Sequence, residues 1–170
     1  MKKFNKNILI FGLFSSVLLF GHGDNKHVKT SSSQTNLGIK IEENKKIEDL
    51  NIINEAYVKD VKPIFKIKCF DCHGELKNFP WYYNIPGIKQ LMDYDMKEAK
   101  KHIDMSKDFP FLSHETPLKD LKSLKETLEE DEMPPIQYVL GHWDSRLTED
   151  EKKKVFTWIE SSLKILGKTK

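Results

Sequence analysis

The sequence has only two cysteines, Cys69 and Cys72, in 170 residues, too few for the four ligands of a structural thiolate zinc site. It has no uninterrupted apolar stretch of membrane-spanning length, since the longest, from Ile8 to Phe20, falls short of the roughly 20 residues that a span needs. Nor does any segment alternate apolar and polar residues over a strand's length, and no repeat is visible at periods of roughly 20–50 residues. A surplus of positive charge is also missing. The formal charge is +2, and the 28 basic residues less Lys2, Lys3 and Lys6 leave 25 against 26 acidic ones. Affinity for phosphate backbones comes from clustered positive charge, so a nucleic-acid partner is excluded. What remains is a polar chain, 38% apolar and 32% charged, of a size that builds one core.

The N-terminus reads as an export signal over 1–23. Lys2, Lys3 and Lys6 precede the apolar run, and Gly21-His22-Gly23 offers a small-x-small cleavage site before Asp24. An uncleaved inner-membrane anchor is the alternative, and it is the only route by which a membrane enters. No cysteine lies near the run, so a lipid-modified N-terminal cysteine is excluded. Residues 24–47 are rich in Lys, Asn, Ser and Glu and bury too little to offset the entropy of ordering, so they are expected to form a disordered tether.

The folded domain is expected over 48–167 as an all-α unit. Leu50, Ile53, Tyr57 and Val61 recur at helical spacing until Pro63, which opens the next short helix. Ile88, Leu91, Met92, Met96, Ala99 and Ile103 form a second stripe, expected to pack on the core. Thr116-Pro117 caps and opens a third helix with Leu118, Leu121, Leu124 and Leu128 facing inward. The last helix starts at Thr148, with Glu151 completing a capping box and Val155, Trp158, Ile159 and Leu163 on its apolar face.

Chemistry concentrates in Cys69-Phe70-Asp71-Cys72-His73. On a helix, positions three and four apart share a face, so both sulfurs and the imidazole point one way. Two thiols so placed suit the two vinyl groups of one porphyrin, and the adjacent imidazole reaches the iron beneath the ring. A thioredoxin-like thiol pair would come with a βαβ pattern, which is missing, and zinc would need further ligands. The motif therefore predicts one covalent haem c with iron, bound through Cys69 and Cys72 and ligated by His73.

For the second axial position Met133 is the leading candidate. Met133-Pro134-Pro135 follows the third helix, and two prolines stiffen the loop that would present the thioether. The competing reading, a gap-filling core methionine, fits poorly beside the acidic run from Glu129 to Glu132. His102 and His142 are the imidazole alternatives, Met92 and Met96 read as core residues of a helix stripe with Met105 at that helix's end, and another methionine or an open position are the remaining cases. Pro80, Trp81 and Tyr82 lie after the motif and are expected to wall the haem edge. Trp81 or Tyr82 would donate to a propionate, and Pro80 or Pro86 would offer a carbonyl to the His73 Nδ1–H.

These residues resemble class I cytochromes c, in which a Cys-x-x-Cys-His helix comes first, a Met-Pro loop supplies the other ligand and an amphipathic helix closes the domain. More narrowly, the chain looks like the bacterial haem-binding domain family. The likeness is carried by Cys69, Cys72, His73, Pro80-Trp81-Tyr82, Asn84-Ile85, Asp95, Glu98, Met133-Pro134-Pro135, Tyr138, His142 and Trp158-Ile159. The resemblance implies a cytochrome c-like fold, haem binding and electron transfer. The expected function is an exported, periplasmic monohaem electron carrier that serves redox partner proteins and is not an enzyme. A peroxidase-like enzyme or a gas or redox sensor with an open or labile sixth ligand is the alternative, and a disulfide-bonded binding module is the non-haem competitor.

Overall fold

A computed structural model describes residues 32–75 and 78–168 of the chain. Among them the structure is helical, with no strand and a single isolated antiparallel bridge, Asp104 with Leu112. The all-α expectation holds. The expected signal segment over 1–23 and the start of the tether lie outside the described residues.

Helix α1, Ser32–Ala56, starts well inside the stretch expected to be a disordered tether, which corrects that reading from residue 32 onward. Its inner end is pinned by buried Ile53, and once a helix is nucleated there each further residue adds a hydrogen bond at little cost. Ile39, Ile41 and Ile47 are exposed, so this extension is helical without being core. The expected domain boundary at 47/48 therefore falls within one continuous helix.

Pro63 shapes the next turn. It has no N–H to donate, and its ring would strike the carbonyl four residues back. The backbone widens to a π-helical turn over Tyr57–Val61, closed by Lys62 N–H donating to the Tyr57 carbonyl, and Pro63 then sits in the first turn of α2, Lys62–Lys68. The wide turn places both Tyr57 and Val61 in the core.

Two further helices complete that core: α5, Pro117–Glu129, and α7, Glu149–Gly167. Both begin as their sequences dictate. Thr116 Oγ1 accepts from the Lys119 N–H at 3.4 Å, Thr148 Oγ1 accepts from Glu151 N–H at 3.3 Å, and the Glu151 carboxylate accepts from Thr148 N–H at 2.8 Å. Leu121 and Leu128 of α5 meet Val155, Trp158 and Ile159 of α7 in one apolar cluster with Ile53, Tyr57, Val61, Ile64 and Phe65. Met105, Phe109 and Phe111 close it from the segment before α5. Tyr57 and Phe109 set their rings against Trp158 at 5.4 and 5.7 Å, and the indole N–H donates to the Ile53 carbonyl at 3.2 Å.

Helix α4, Ile88–His102, departs from expectation. None of its residues is buried, and Ile88 and Leu91 are exposed. It packs on the short helix α3, Phe70–His73, and on the 3-10 turn Trp81–Asn84 rather than on the core. Of its expected apolar stripe, only Ala99 and Ile103 line the site described next.

Candidate haem site

Helix α2 ends at Lys68, and Cys69 breaks the helical path at φ −124°, ψ −30° before α3 begins. Cys69 N–H still donates to Phe65 O at 2.8 Å, and Cys69 O accepts from His73 N–H at 2.9 Å. The expected continuous helix is thus two helices sharing a joint, with Cys69 at the joint and Cys72 and His73 on the turn beyond. The chain leaves the motif through buried Gly74. A Cβ there would lie 2.5 Å from Phe70 Cγ, so only glycine lets the backbone pass the Phe70 ring.

Cys69, Cys72 and His73 line one cavity of about 540 Å³. That volume is in the range of small-molecule and cofactor pockets, roughly 300–1,000 Å³. Ile103, Met105, Leu124 and Leu128 supply apolar walls, and Met133, Pro134, Pro135 and Tyr138 line it from a second stretch of chain. Two residues sixty positions apart, His73 and Met133, are thereby brought to the same space.

The His73 ring is oriented by a partner that sequence reasoning missed. Its Nδ1 lies 2.9 Å from the Ile103 carbonyl, and a carbonyl only accepts, so Nδ1 carries the proton and Nε2 keeps its lone pair. The His73 carbonyl in turn accepts from Met105 N–H at 2.7 Å. The Asp104–Leu112 bridge, with bonds of 2.8 and 3.0 Å, holds the segment that makes both contacts. A backbone carbonyl has no side-chain signature, so nothing in the sequence marked Ile103 over Pro80 or Pro86. With the Nδ1–H given to Ile103, neither proline carbonyl holds that role, and Pro80 accepts from Tyr83 N–H at 3.0 Å.

Burial sets the protonation of the site. It pushes the Cys69 thiol up to about 12, with Cys72 adding to it, and raises Cys72, where Asp71 adds. Thiols held protonated in this way are poor at disulfide exchange, which weakens the thiol-redox reading. Burial also lowers the His73 pKa against the opposing pull of the Ile103 hydrogen bond, so the imidazole is held neutral, as an iron ligand must be.

The remaining candidates separate. Met133 lines the cavity while 46% exposed. His102, at the end of α4, also lines it. His142 is spoken for at both nitrogens: Nδ1–H donates to the Tyr138 carbonyl at 3.1 Å and Nε2 accepts from the Tyr82 hydroxyl at 2.7 Å. Pro80, Trp81 and Tyr82 do not line the cavity, contrary to expectation, and Trp81 is 80% exposed. The 3-10 turn that carries Trp81 and Tyr82 packs on α4 instead. Sequence reasoning also missed Tyr138 as a structural partner of the motif, since its hydroxyl donates to Asp71 Oδ2 at 2.6 Å.

The residues present fit a haem. Two thiols, an imidazole and a thioether line a largely apolar cavity, and the Ser145 hydroxyl, buried on its wall, has no hydrogen-bond partner among the described residues. A polar edge on a bound group would satisfy it. Among the described residues, no three His, Cys, Asp or Glu side chains converge as a metal cage, and no helix is long and apolar enough to cross a membrane.

Comparison with known proteins agrees with this chemistry. The family model described as "Haem-binding domain" matches residues 25–161. Among curated proteins the chain is similar to the cytochrome c peroxidase Ccp of Escherichia coli (strain K12), with 33% identity over 93 residues, 54% of this chain and 20% of that protein. The chain thus spans about a fifth of the length of the curated relative it matches. No solved structure matches it.

Proposed function

The chain belongs to the haem-binding domain family, and from that premise we propose that it is an exported monohaem c-type cytochrome that passes single electrons between redox partner proteins in the periplasm. One observation carries the reading: Cys69, Cys72, His73 and Met133 line the same cavity. When bound, the haem supplies the one-electron couple of its iron. Cys69 and Cys72 would hold it through thioethers. His73 would offer Nε2 to the iron, since Ile103 fixes the other ring nitrogen. Leu124, Leu128 and Met105 would keep water from a bound ring, and Met133 would offer the iron a soft sulfur that favours the reduced state relative to a second imidazole.

Expression in a host competent in cytochrome maturation tests it. The wild-type chain is expected to keep a haem-peroxidase stain through denaturing electrophoresis, and Cys69→Ala with Cys72→Ala to lose it. An unstained wild-type band sinks the covalent attachment.

A second reading, a peroxidase-like enzyme or sensor, is favoured by the similarity to a protein named a cytochrome c peroxidase and by the exposure of Met133, which leaves the thioether room to swing aside. Peroxide-dependent oxidation of a reduced donor by the wild type, at a rate exceeding that of a closed His/Met cytochrome, would select it.

A further inference from the structure

The loop that carries Met133 is poorly held by burial. Helix α6, Ile136–Val139, follows it as a single turn. It shares no broad interface with any other helix among the described residues, and Ile136 and Leu140 are exposed. A thioether is a weak iron ligand, so something else must keep this loop beside the haem motif. A chain of polar contacts does so. Tyr138 Oη donates to Asp71 Oδ2 at 2.6 Å, and Asp71 lies between the two cysteines. The Tyr138 ring stacks on His142 at 4.1 Å and 12°. His142 Nδ1–H donates to the Tyr138 carbonyl, which fixes the tautomer, so its Nε2 accepts from Tyr82 Oη. The two outer bonds join segments 67 and 60 residues apart.

We propose that Tyr138 is a positioning residue for the sixth ligand: backed by His142 and Tyr82, it latches the Met133 loop to Asp71 within the haem-attachment motif. The inference rests on Met133 ligation as proposed above. It gives His142 and Tyr82 a role as supports of the latch, where the sequence suggested an iron ligand and a wall of the haem edge.

The test uses the full chain matured with haem and reads the affinity of the ferric protein for imidazole, which competes with the thioether, together with the sulfur-to-iron band at the red end of the visible spectrum. Tyr138→Phe keeps the ring stack and loses the donated bond, and is expected to bind imidazole about fivefold tighter. Asp71→Asn keeps an acceptor oxygen and should stay within about twofold of wild type. Asp71→Leu should match Tyr138→Phe, and the double variant should go no further, since both remove one contact. Should Tyr138→Phe yield no holoprotein, His142→Gln decides in its place. It frees the Tyr138 ring and is expected to tighten imidazole binding about twofold or more. A wild type that shows the band with Tyr138→Phe, or His142→Gln in its place, unchanged overturns the latch alone. A wild type without the band, whose imidazole affinity ignores Met133→Ala, overturns Met133 ligation and the latch with it.

Discussion

His73 and Met133 meet the cavity on unequal terms. The imidazole is fixed at its ring by Ile103 and at its backbone by Met105, whereas Met133 is 46% exposed and held through its loop. Met133→Ala is therefore expected to remove the sulfur-to-iron band and admit carbon monoxide to the ferrous iron without lowering the yield of covalent haem, as absorption spectra of the purified variant would show. Asp120 makes a second prediction at this scale. Its buried carboxyl accepts from Ser113 Oγ at 2.8 Å, and its pKa is raised, by burial first and by Glu115 after, against the pull of Ser113. A raised folded pKa means that the folded chain holds this proton more tightly than the unfolded one. Its stabilising contribution is then full below the unfolded value of about 3.9 and is lost as pH rises through the folded value. Asp120→Asn, which keeps an acceptor for Ser113, is expected to raise the urea midpoint at pH 7 and to lose most of that advantage at pH 3.5.

Among the elements, α7 is the one whose ends and face both serve the core. Its capping box satisfies N–H groups that the first turn would leave unpaired, and Trp158 carries the aromatic cluster against Tyr57, Phe109 and Phe111. Thr148→Ala is expected to cost about 1 kcal/mol of unfolding free energy. Trp158→Ala should cost about 3–5 kcal/mol, because it opens a cavity and also removes the donor to Ile53 O. Chemical denaturation of the two variants side by side would separate a cap from a core anchor. Helix α4 behaves differently. It adds little to the core and acts through its end, where Ile103 reaches His73, so exposed substitutions such as Lys97→Ala should leave stability within about 0.5 kcal/mol.

For the molecule as a whole, the haem would serve as part of the interior. The cavity of about 540 Å³ sits between α5 and the attachment motif, so a ligand that binds only the folded chain adds to its stability. The Cys69→Ala, Cys72→Ala protein without haem is expected to melt about 10 °C or more below the holoprotein, measured by circular dichroism at matched concentration. On export, N-terminal sequencing of the mature chain should begin near Asp24. Intact Met1 recovered in the membrane fraction would mean an anchor and would leave the haem chemistry untouched.

Local signals were legible because their physics is local. A cysteine pair three apart followed by histidine, a Thr-x-x-Glu box before an apolar stripe, and a proline opening a short helix each depend on neighbours within one or two turns, so the sequence alone determined the helical class, the Cys-x-x-Cys-His motif and the starts of α5 and α7. Met133 was legible as a candidate for the same reason, as a methionine stiffened by adjacent prolines. What joins distant segments was not. The Ile103 carbonyl that orients His73, the Tyr138 hydroxyl on Asp71 and the placement of α4 on α3 instead of the core are made by backbone groups or by pairs of ordinary polar residues, and chain path alone decides which of them meet. Pro80, Trp81 and Tyr82 show the converse, since residues close to the motif in sequence do not line the cavity, their 3-10 turn packing on α4 instead. Composition and spacing constrain what a residue can do within its own helix, while its partner across the fold is set by how the helices pack, and that was decided only in the tertiary structure.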